Sequence, residues 1–275
     1  MGTALNHLWQ QRYAGTSPEP SALGENPVIE ALLGHRSVRR YLDQPLPAQT
    51  LPTLLAAAQS AASSSNLQVW SLIAVEDPQR KARLAKLAND QEHIRQAPLF
   101  LVWLADFSRA GRIAAARDVQ LDAPAYLDSL LVSSIDAGLA AQNAVVAAES
   151  LGLGTVYIGA LRNNLQAVIE ELQLPPLVYP VFGLVVGYPD PQHPAAIKPR
   201  LPQDVVLHRE TYQVAAEEPQ RIAAYEEVAA AFSREQQQNS PAWSDQVLQR
   251  LKGGDSLHGR ERIAQVLNAQ GLALR

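Results

Sequence analysis

Four short, largely apolar runs along the chain predict buried β-strands. Apolar runs of about 4–8 residues bounded by turn or polar residues are typical of strands that are covered on both faces. These runs occupy residues 69–75, 98–105, 155–159 and 179–186. The segments between them have the spacing of apolar residues that is expected of helices.

Helix signals flank each of these runs. Asn26 followed by Pro27 predicts the start of a short helix over 27–33 that ends at Gly34. The longest predicted helix, about 125–151, has many small residues along its apolar stripe, which lets another helix approach closely, so we expect it to be central and to pack on a copy of itself. The other predicted helices cover 48–61, 78–88, 163–172 and, with a polar break at 236–241, the region from 217 onward.

Composition limits the class of protein. The chain has 275 residues, of which 47% are hydrophobic and 18% charged, so it can bury a large core and is not disordered as a whole. It has no cysteine, which excludes disulfides, a thiol nucleophile and cysteine-bound metals. The net charge of −4 argues against binding nucleic acid, which requires a basic field.

Membrane and export signals are not expected. The most apolar stretch, 137–148, is interrupted by Gln142 and Asn143 and is shorter than the roughly 20 residues of a membrane span. The first residues lack the basic and apolar regions of a signal peptide, so we expect a cytoplasmic protein. Residues 14–24 predict a loop, and the prolines after Gly187 predict an extended surface path.

Common catalytic motifs are missing from the sequence. The six histidines are scattered, and there is no GxSxG elbow, Walker A sequence or GxGxxG after a strand, so we expect neither a metal site nor a catalytic side chain.

What remains is a set of cations and amides on loops. These are the basic run from His35 to Arg39, the pair Lys198 and Arg200, and the run Ser63–Asn66 with Gln68. Taken alone, the cations are more typical of a solvated surface and the serine run of a flexible loop.

Together these motifs carry a resemblance to one family. The segments are 35–39, 63–71, 140–144 with 149–154, 157–159 and 198–202. In this order they resemble the FMN-dependent nitroreductase family, most closely its NADPH-dependent, oxygen-insensitive nitroreductase/flavin reductase branch, over roughly residues 27–245. The resemblance implies an α+β fold, with a mixed, mainly antiparallel sheet flanked by helices, in an intertwined homodimer. We divide the chain into an N-terminal extension, 1–24, and a single FMN-binding domain, 25–275, with a helical C-terminal tail.

The resemblance also implies which residues hold the cofactor. It places Arg39 and Gln91 at the pyrimidine side of the flavin, where a cation favours the charge that reduction adds to the ring. The FMN phosphate is assigned to one set of polar and basic residues, namely His35, Arg36, Ser37, Lys198 and Arg200. The loop that the partner subunit lays against the flavin comprises Ser63, Ser64, Ser65, Leu67 and Gln68. The reactive edge of the ring is assigned to the strand end Tyr157, Ile158, Gly159 and Ala160.

The implied activity is electron transfer from a nicotinamide to small acceptors. NADPH, or NADH, would donate a hydride to FMN, which would then reduce nitroaromatics, quinones, flavins or similar acceptors by a ping-pong mechanism. Two departures leave alternatives open: Ala160 replaces a usual glycine, and Arg234 alone matches the arginines that hold the 2′-phosphate of NADPH. The alternatives are a flavin-binding dimer without turnover and a reductive dehalogenase or flavin-destroying enzyme of the same fold.

Overall fold

The computed structural model describes residues 3–17 and 23–272 as an α+β protein. Its strands are β1 (Trp70–Val75), β2 (Leu99–Asp106), β3 (Gly154–Ile158) and β4 (Val178–Gly187). Its helices are α1 (Thr3–Tyr13), α2 (Pro27–Leu33), α3 (Thr50–Gln59), α4 (Pro78–Leu87), α5 (Glu92–Gln96), α6 (Ser108–Ala115), α7 (Leu127–Ser150), α8 (Leu165–Glu171), α9 (Gln203–Val206), α10 (Glu218–Glu235), α11 (Trp243–Leu251) and α12 (Ile263–Ala269). Short 3₁₀ turns cover Ser64–Asn66, Ala123–Ala125, Gly159–Asn164, Gly254–Leu257 and Arg260–Arg262.

The four predicted strands form one sheet in the order β1-β2-β4-β3, and every neighbouring pair is antiparallel. The parallel component of the expected mixed sheet is a single bridge between Ser37 and Thr155. The central strand β4 contains Pro180, which lacks an N–H donor. It lies where the register of β2 and β4 shifts, and such irregularities are where a sheet tolerates proline.

Helix α7 covers the sheet with its smallest residues. Ala140, Ala141, Ala144 and Ala148 are buried in the same apolar cluster as Leu101 and Leu184 of the sheet. Because alanine side chains are short, the helix axis can lie close to the strands. The prediction of a central helix is therefore confirmed, and its packing on a second copy remains a prediction.

The described chain divides into two compact units. Unit 1 takes in Met1–Arg36 and Ala195–Ser256, and unit 2 takes in Ser37–Pro194 and Leu257–Arg275. The sheet with α3–α8 and α12 belongs to unit 2, whereas α1, α2 and α9–α11 belong to unit 1. Helix α1 was not predicted, and neither were the short α5, α6 and α9. The predicted loop over 14–24 falls partly on residues 18–22, which lie outside the described residues.

Candidate functional site

The basic residues predicted for the phosphate meet in unit 1 through one buried arginine. The Arg12 guanidinium donates hydrogen bonds from Nη1 to the Lys198 carbonyl oxygen at 2.7 Å and from Nη2 to the His35 carbonyl oxygen at 2.8 Å. The Arg200 N–H donates to the Arg12 carbonyl oxygen at 2.9 Å. The end of α2 and the segment 198–200 therefore lie side by side, although more than 160 residues separate them in sequence.

The cationic side chains of these two segments are positioned for an anion. Arg36, Lys198 and Arg200 are exposed, and His35 is half-buried. Lys198 and Arg200 lie on either side of the buried Pro199 and line the same cavity. Guanidinium and ammonium groups are strong donors to phosphate oxygens. This cluster, which we call the cationic cradle, consists of His35, Arg36, Lys198 and Arg200.

The cationic cradle borders a cavity of about 740 Å³ in unit 1. Lys198 and Arg200 line it together with the aromatic rings of Tyr13, Tyr225 and Trp243. Burial raises the pKa of the Tyr225 hydroxyl, and the charge of Arg200 partly opposes this effect. The cavity therefore combines cations with flat apolar surfaces.

In unit 2 the basic run continues along the edge strand β3. The Val38 N–H donates to the Thr155 carbonyl oxygen at 2.9 Å, next to the bridge of Ser37 with Thr155. Gly154 permits this pairing, because a Cβ there would lie 2.6 Å from Val38 Cγ2. Ser37 and Arg39 are thus fixed beside the strand that leads to Tyr157.

The end of β3 is held by contacts behind it. The Tyr157 hydroxyl donates to Gln142 Oε1 at 3.3 Å, and its ring packs edge-on against Phe182. Burial raises the pKa of Tyr157, so its hydroxyl stays protonated. Ile158 is 1% exposed and belongs to the core, whereas Gly159 starts a 3₁₀ turn. The end of β3 is therefore anchored in the core through Ile158 and continues directly into the turn at Gly159.

Ala160 fits this turn without backbone strain. It is not among the described residues with a positive φ, so its conformation does not require glycine. Behind the turn, the Arg162 guanidinium donates to the carbonyl oxygen of Val181. The departure at Ala160 consequently leaves the geometry of the strand end intact.

The serine loop, residues 63–68, is held rigidly in place. The Asp136 carboxylate on α7 is 2% exposed and accepts from Ser63 Oγ at 2.6 Å and from the Ser64 N–H at 3.0 Å. Ser63 Oγ in turn accepts from the Gln68 N–H at 2.8 Å. Ser65, Asn66 and Gln68 have positive φ angles, which non-glycine residues adopt only when the surroundings fix them. The serine run, which taken alone is typical of a flexible loop, is therefore tied to the core helix α7 by hydrogen bonds.

Leu67 and Gln68 of the serine loop line a cavity in unit 2. Its volume is about 600 Å³, and Trp70, Ser71 and Arg109 are also in its wall. Arg109 Nη1 donates to the Gln68 carbonyl oxygen at 2.8 Å and so fixes the loop from its second end. Leu67 is 57% exposed, which leaves it accessible to a ligand or to a second chain.

Arg39 and Gln91 both belong to unit 2. Gln91 is the half-buried residue before α5, which contains His93. Burial, together with the charges of Arg39 and Arg40, lowers the pKa of His93 to about 4. The charge of Arg39 therefore acts on α5, and the assignment of Arg39 and Gln91 to one side of a ligand remains a prediction.

Two residues that organise the site were missed by the sequence analysis. Asp136 is a lone acid among alanines and leucines, and that isolation was a usable signal for a buried acceptor. Arg12 has no comparable signal, because its partners are distant carbonyl groups. Arg234 lies in the last turn of α10 with an exposed side chain, so it is accessible to an anion and its role remains a prediction.

Comparisons with known proteins identify the family of the chain. A family model described as "Nitroreductase family" matches residues 32–188, and one described as "Nitroreductase family, C-terminal domain" matches residues 198–275. The chain is 44% identical over 226 residues to an FMN reductase [NAD(P)H] of Bacillus subtilis, covering 81% of this chain and 90% of that protein. It is 39% identical to an oxygen-insensitive NADPH nitroreductase of Salmonella typhimurium, covering 91% and 100%. The solved NADPH:FMN oxidoreductase of Vibrio harveyi in complex with NAD+ is 37% identical, with a TM-score of 0.80 over 91% of this chain and 100% of that one.

Proposed function

The chain belongs to the nitroreductase family and is an NAD(P)H-dependent nitroreductase/flavin reductase that uses FMN, and we propose that nicotinamide and acceptor bind in turn at one flavin site. The assignment of the site rests on the hydrogen bonds of Arg12 to the carbonyl oxygens of His35 and Lys198. These bonds hold together two segments, distant in sequence, whose cations suit a phosphate.

Each unit, taken by itself, contains residues that suit one part of FMN. The cationic cradle supplies donors for the phosphate, and Ser37 follows it directly in the chain. In unit 2 the serine loop offers hydroxyl and amide groups suited to the ribityl chain and the polar edge of a ring. We assign Arg39 and Gln91 to the pyrimidine side, and residues 157–160 to the reactive edge.

The chain's own contribution to the reaction is binding and electrostatics. Bound FMN supplies the capacity to accept two electrons from a nicotinamide and to pass them on. Arg39, which is always charged, stabilises negative charge that develops near the pyrimidine side. Tyr157 keeps its proton and fixes the strand end through Gln142. No side chain has to act as the acid or base.

The acceptors we propose are small and flat or readily reduced, including nitroaromatics, quinones and flavins. A site that admits donor and acceptor alternately cannot be closely shaped to either of them. We propose NADPH as the preferred donor, with Arg234 as a candidate for the 2′-phosphate, and a cytoplasmic location. Because Ala160 is unstrained, this departure no longer favours binding without turnover, and the second departure, at Arg234, is addressed by the donor series below.

Anaerobic mixing with the donor tests this function. The protein loaded with FMN is mixed with NADPH, and flavin absorbance is followed; we expect it to bleach and to return when a quinone is added. A parallel series with NADH gives the donor preference. A flavin that stays yellow with both donors would contradict the proposal.

We also propose that two copies pair through the exposed face of α7. Four apolar residues at four-residue spacing are 44–58% exposed on it, namely Leu127, Leu131, Ile135 and Leu139. By length and composition α7 could also cross a membrane, which for a single helix is weak evidence, and 39% of its apolar window is buried inside the protein. A continuous apolar stripe of this kind is characteristic of an interface.

An acidic substitution on the stripe tests the pairing. Ile135→Glu is expected to convert dimers to monomers in sedimentation velocity, because a carboxylate would be buried without a partner. Ile113→Glu on α6, at a similar exposure of 51%, serves as the matched control and should stay dimeric. A wild-type monomer, or a dimeric Ile135→Glu variant, would exclude this interface.

A further inference from the structure

We propose that Arg12 is a positioning residue of the FMN phosphate site, and that the N-terminal segment containing it is a working part of that site. The proposal rests on the proposed function, since it concerns how the cationic cradle is held. It concerns residues that precede the match to the family model, which starts at residue 32.

Arg12 acts on the backbone that carries the cations. Its guanidinium contacts three carbonyl oxygens: Lys198 at 2.7 Å, Leu33 at 2.9 Å and His35 at 2.8 Å. The Leu33 carbonyl belongs to the last residue of α2, where helix carbonyls lack an intrahelical partner and favour a cation, and His35 directly follows the C-cap Gly34. The Lys198 carbonyl belongs to the other phosphate segment. One side chain thereby sets the distance between the two halves of the cationic cradle.

The chemistry of arginine suits this task. Its planar group presents five N–H donors in a fixed fork, so it can hold three acceptors in a defined arrangement. Arg12 is 6% exposed, which keeps water from competing for these carbonyls. A lysine would retain the charge but has a single nitrogen, so it could not span both segments in the same way.

The rest of the segment anchors Arg12 in place. Leu5 and Trp9 of α1 are 2% and 6% exposed, so the helix is packed against its unit. The Arg200 N–H donates to the Arg12 carbonyl oxygen at 2.9 Å, and the Gln203 N–H donates to Oγ of the buried Ser17, also at 2.9 Å. The segment is therefore attached by hydrogen bonds at residues 198, 200 and 203.

The comparisons indicate that part of this chain has no equivalent in some relatives. The alignment to the Salmonella typhimurium nitroreductase takes in all of that protein but 91% of this chain. We infer that α1 adds a support to the phosphate site that is particular to proteins with such an extension.

The test compares two flavins that differ only in the phosphate. Apo-protein is titrated with FMN and with riboflavin, and flavin fluorescence gives the two dissociation constants. Their ratio, riboflavin over FMN, reports the contribution of the phosphate and is insensitive to a general loss of folded protein. We expect Arg12→Met to lower this ratio at least ten-fold, and Arg12→Lys to lower it at least three-fold although the charge is kept. The matched control is Arg221→Met, at an arginine of the same unit that is 48% exposed.

Each outcome bears on a different claim. A wild-type protein that binds neither flavin, or binds both equally, would overturn the proposed function itself. A large wild-type ratio that is unchanged in Arg12→Met and Arg12→Lys would overturn the role of Arg12 alone. If circular dichroism shows that Arg12→Met is unfolded, the ratio of Arg12→Lys decides, and equality with the wild type then counts against the proposal.

Discussion

The cationic cradle and the serine loop are held in place by opposite means. In the cradle, exposed cations stand on two backbone segments that a buried cation, Arg12, joins through carbonyl oxygens. In the loop, hydroxyl and amide donors converge on a buried anion, Asp136, which projects from a helix of the core. The cradle thus presents positive charge to the solvent, whereas the serine loop has a strained backbone that Asp136 holds in place.

This difference predicts how binding and stability depend on each other. The cradle side chains are exposed and lie outside the apolar core, so they can be removed without disturbing it. The donors of the serine loop share their acceptor with the core helix α7, so changes there affect folding as well. Binding and stability should separate in the cradle and change together in the loop.

The largest effect is expected from removing both cations of the cradle's second segment. In Lys198→Ala with Arg200→Ala, FMN affinity should fall by about 100-fold or more, because each hydrogen bond to a charged group contributes about 1.5–3 kcal/mol. Riboflavin affinity and the free energy of unfolding should stay near the wild-type values. Fluorescence titration and urea unfolding measure the two quantities.

A control of equal charge sharpens this result. Arg209→Ala with Lys252→Ala removes two other exposed cations from unit 1. Equal losses of FMN affinity in both double variants would mean that net charge, rather than the cradle, attracts the phosphate.

An intermediate effect is expected from Asp136→Asn. The amide cannot accept both hydrogen bonds as the carboxylate does, so the free energy of unfolding should fall by about 2 kcal/mol. FMN and riboflavin affinities should weaken by the same factor, because the loop is assigned to ribityl and ring. Asp128→Asn, at an exposed position in the first turn of α7, is the matched control. A selective loss of FMN affinity, or unchanged stability, would contradict this assignment.

The smallest effect concerns the pH dependence of stability near the pyrimidine side. His93 has its pKa lowered from 6.5 to about 4 by burial, so the unfolded chain binds its proton more readily than the folded one does. Stability from this group is present above pH 6.5 and is lost as the pH falls toward 4, by up to about 2 kcal/mol after allowance for partial exposure. His93→Gln should flatten the unfolding free energy between those values, and the exposed His258→Gln should not. If the unfolding free energies of wild type and His93→Gln depended on pH in the same way, the lowered pKa of His93 would not be the cause of the pH dependence.

The strands were predictable because their sequence pattern is local. Residues buried on both faces give unbroken apolar runs, and the predicted 69–75 and 179–186 agree with β1 and β4 to within one residue. The mixed character of the sheet reduces to one parallel bridge at Ser37, which depends on the close approach that Gly154 allows. This close approach is a tertiary contact, and the sequence around either residue does not predict it. Helix α1 was missed although Leu5, Leu8, Trp9 and Tyr13 have the spacing of one helix face, so its pattern was a usable signal.

In the candidate site, too, local sequence did not predict the tertiary contacts. The cations and the serine run were identified from motifs, but their physical support was not, since each support bonds to partners far away in sequence. Ser63 and Asp136 are 73 residues apart, and Arg12 and Lys198 are 186 apart. Local composition taken alone is therefore typical of a flexible loop, whereas a distant carboxylate holds this one in place by hydrogen bonds.

A crystal structure of the protein with bound FMN tests the central claim most directly. We expect the phosphate oxygens to lie within hydrogen-bonding distance, about 2.7–3.2 Å, of donors from both segments of the cradle, Arg36 on one side and Lys198 or Arg200 on the other. We also expect the Arg12 guanidinium to keep its contacts to the carbonyl groups beneath them. An FMN phosphate bound elsewhere, with these cations facing only solvent, would contradict the account.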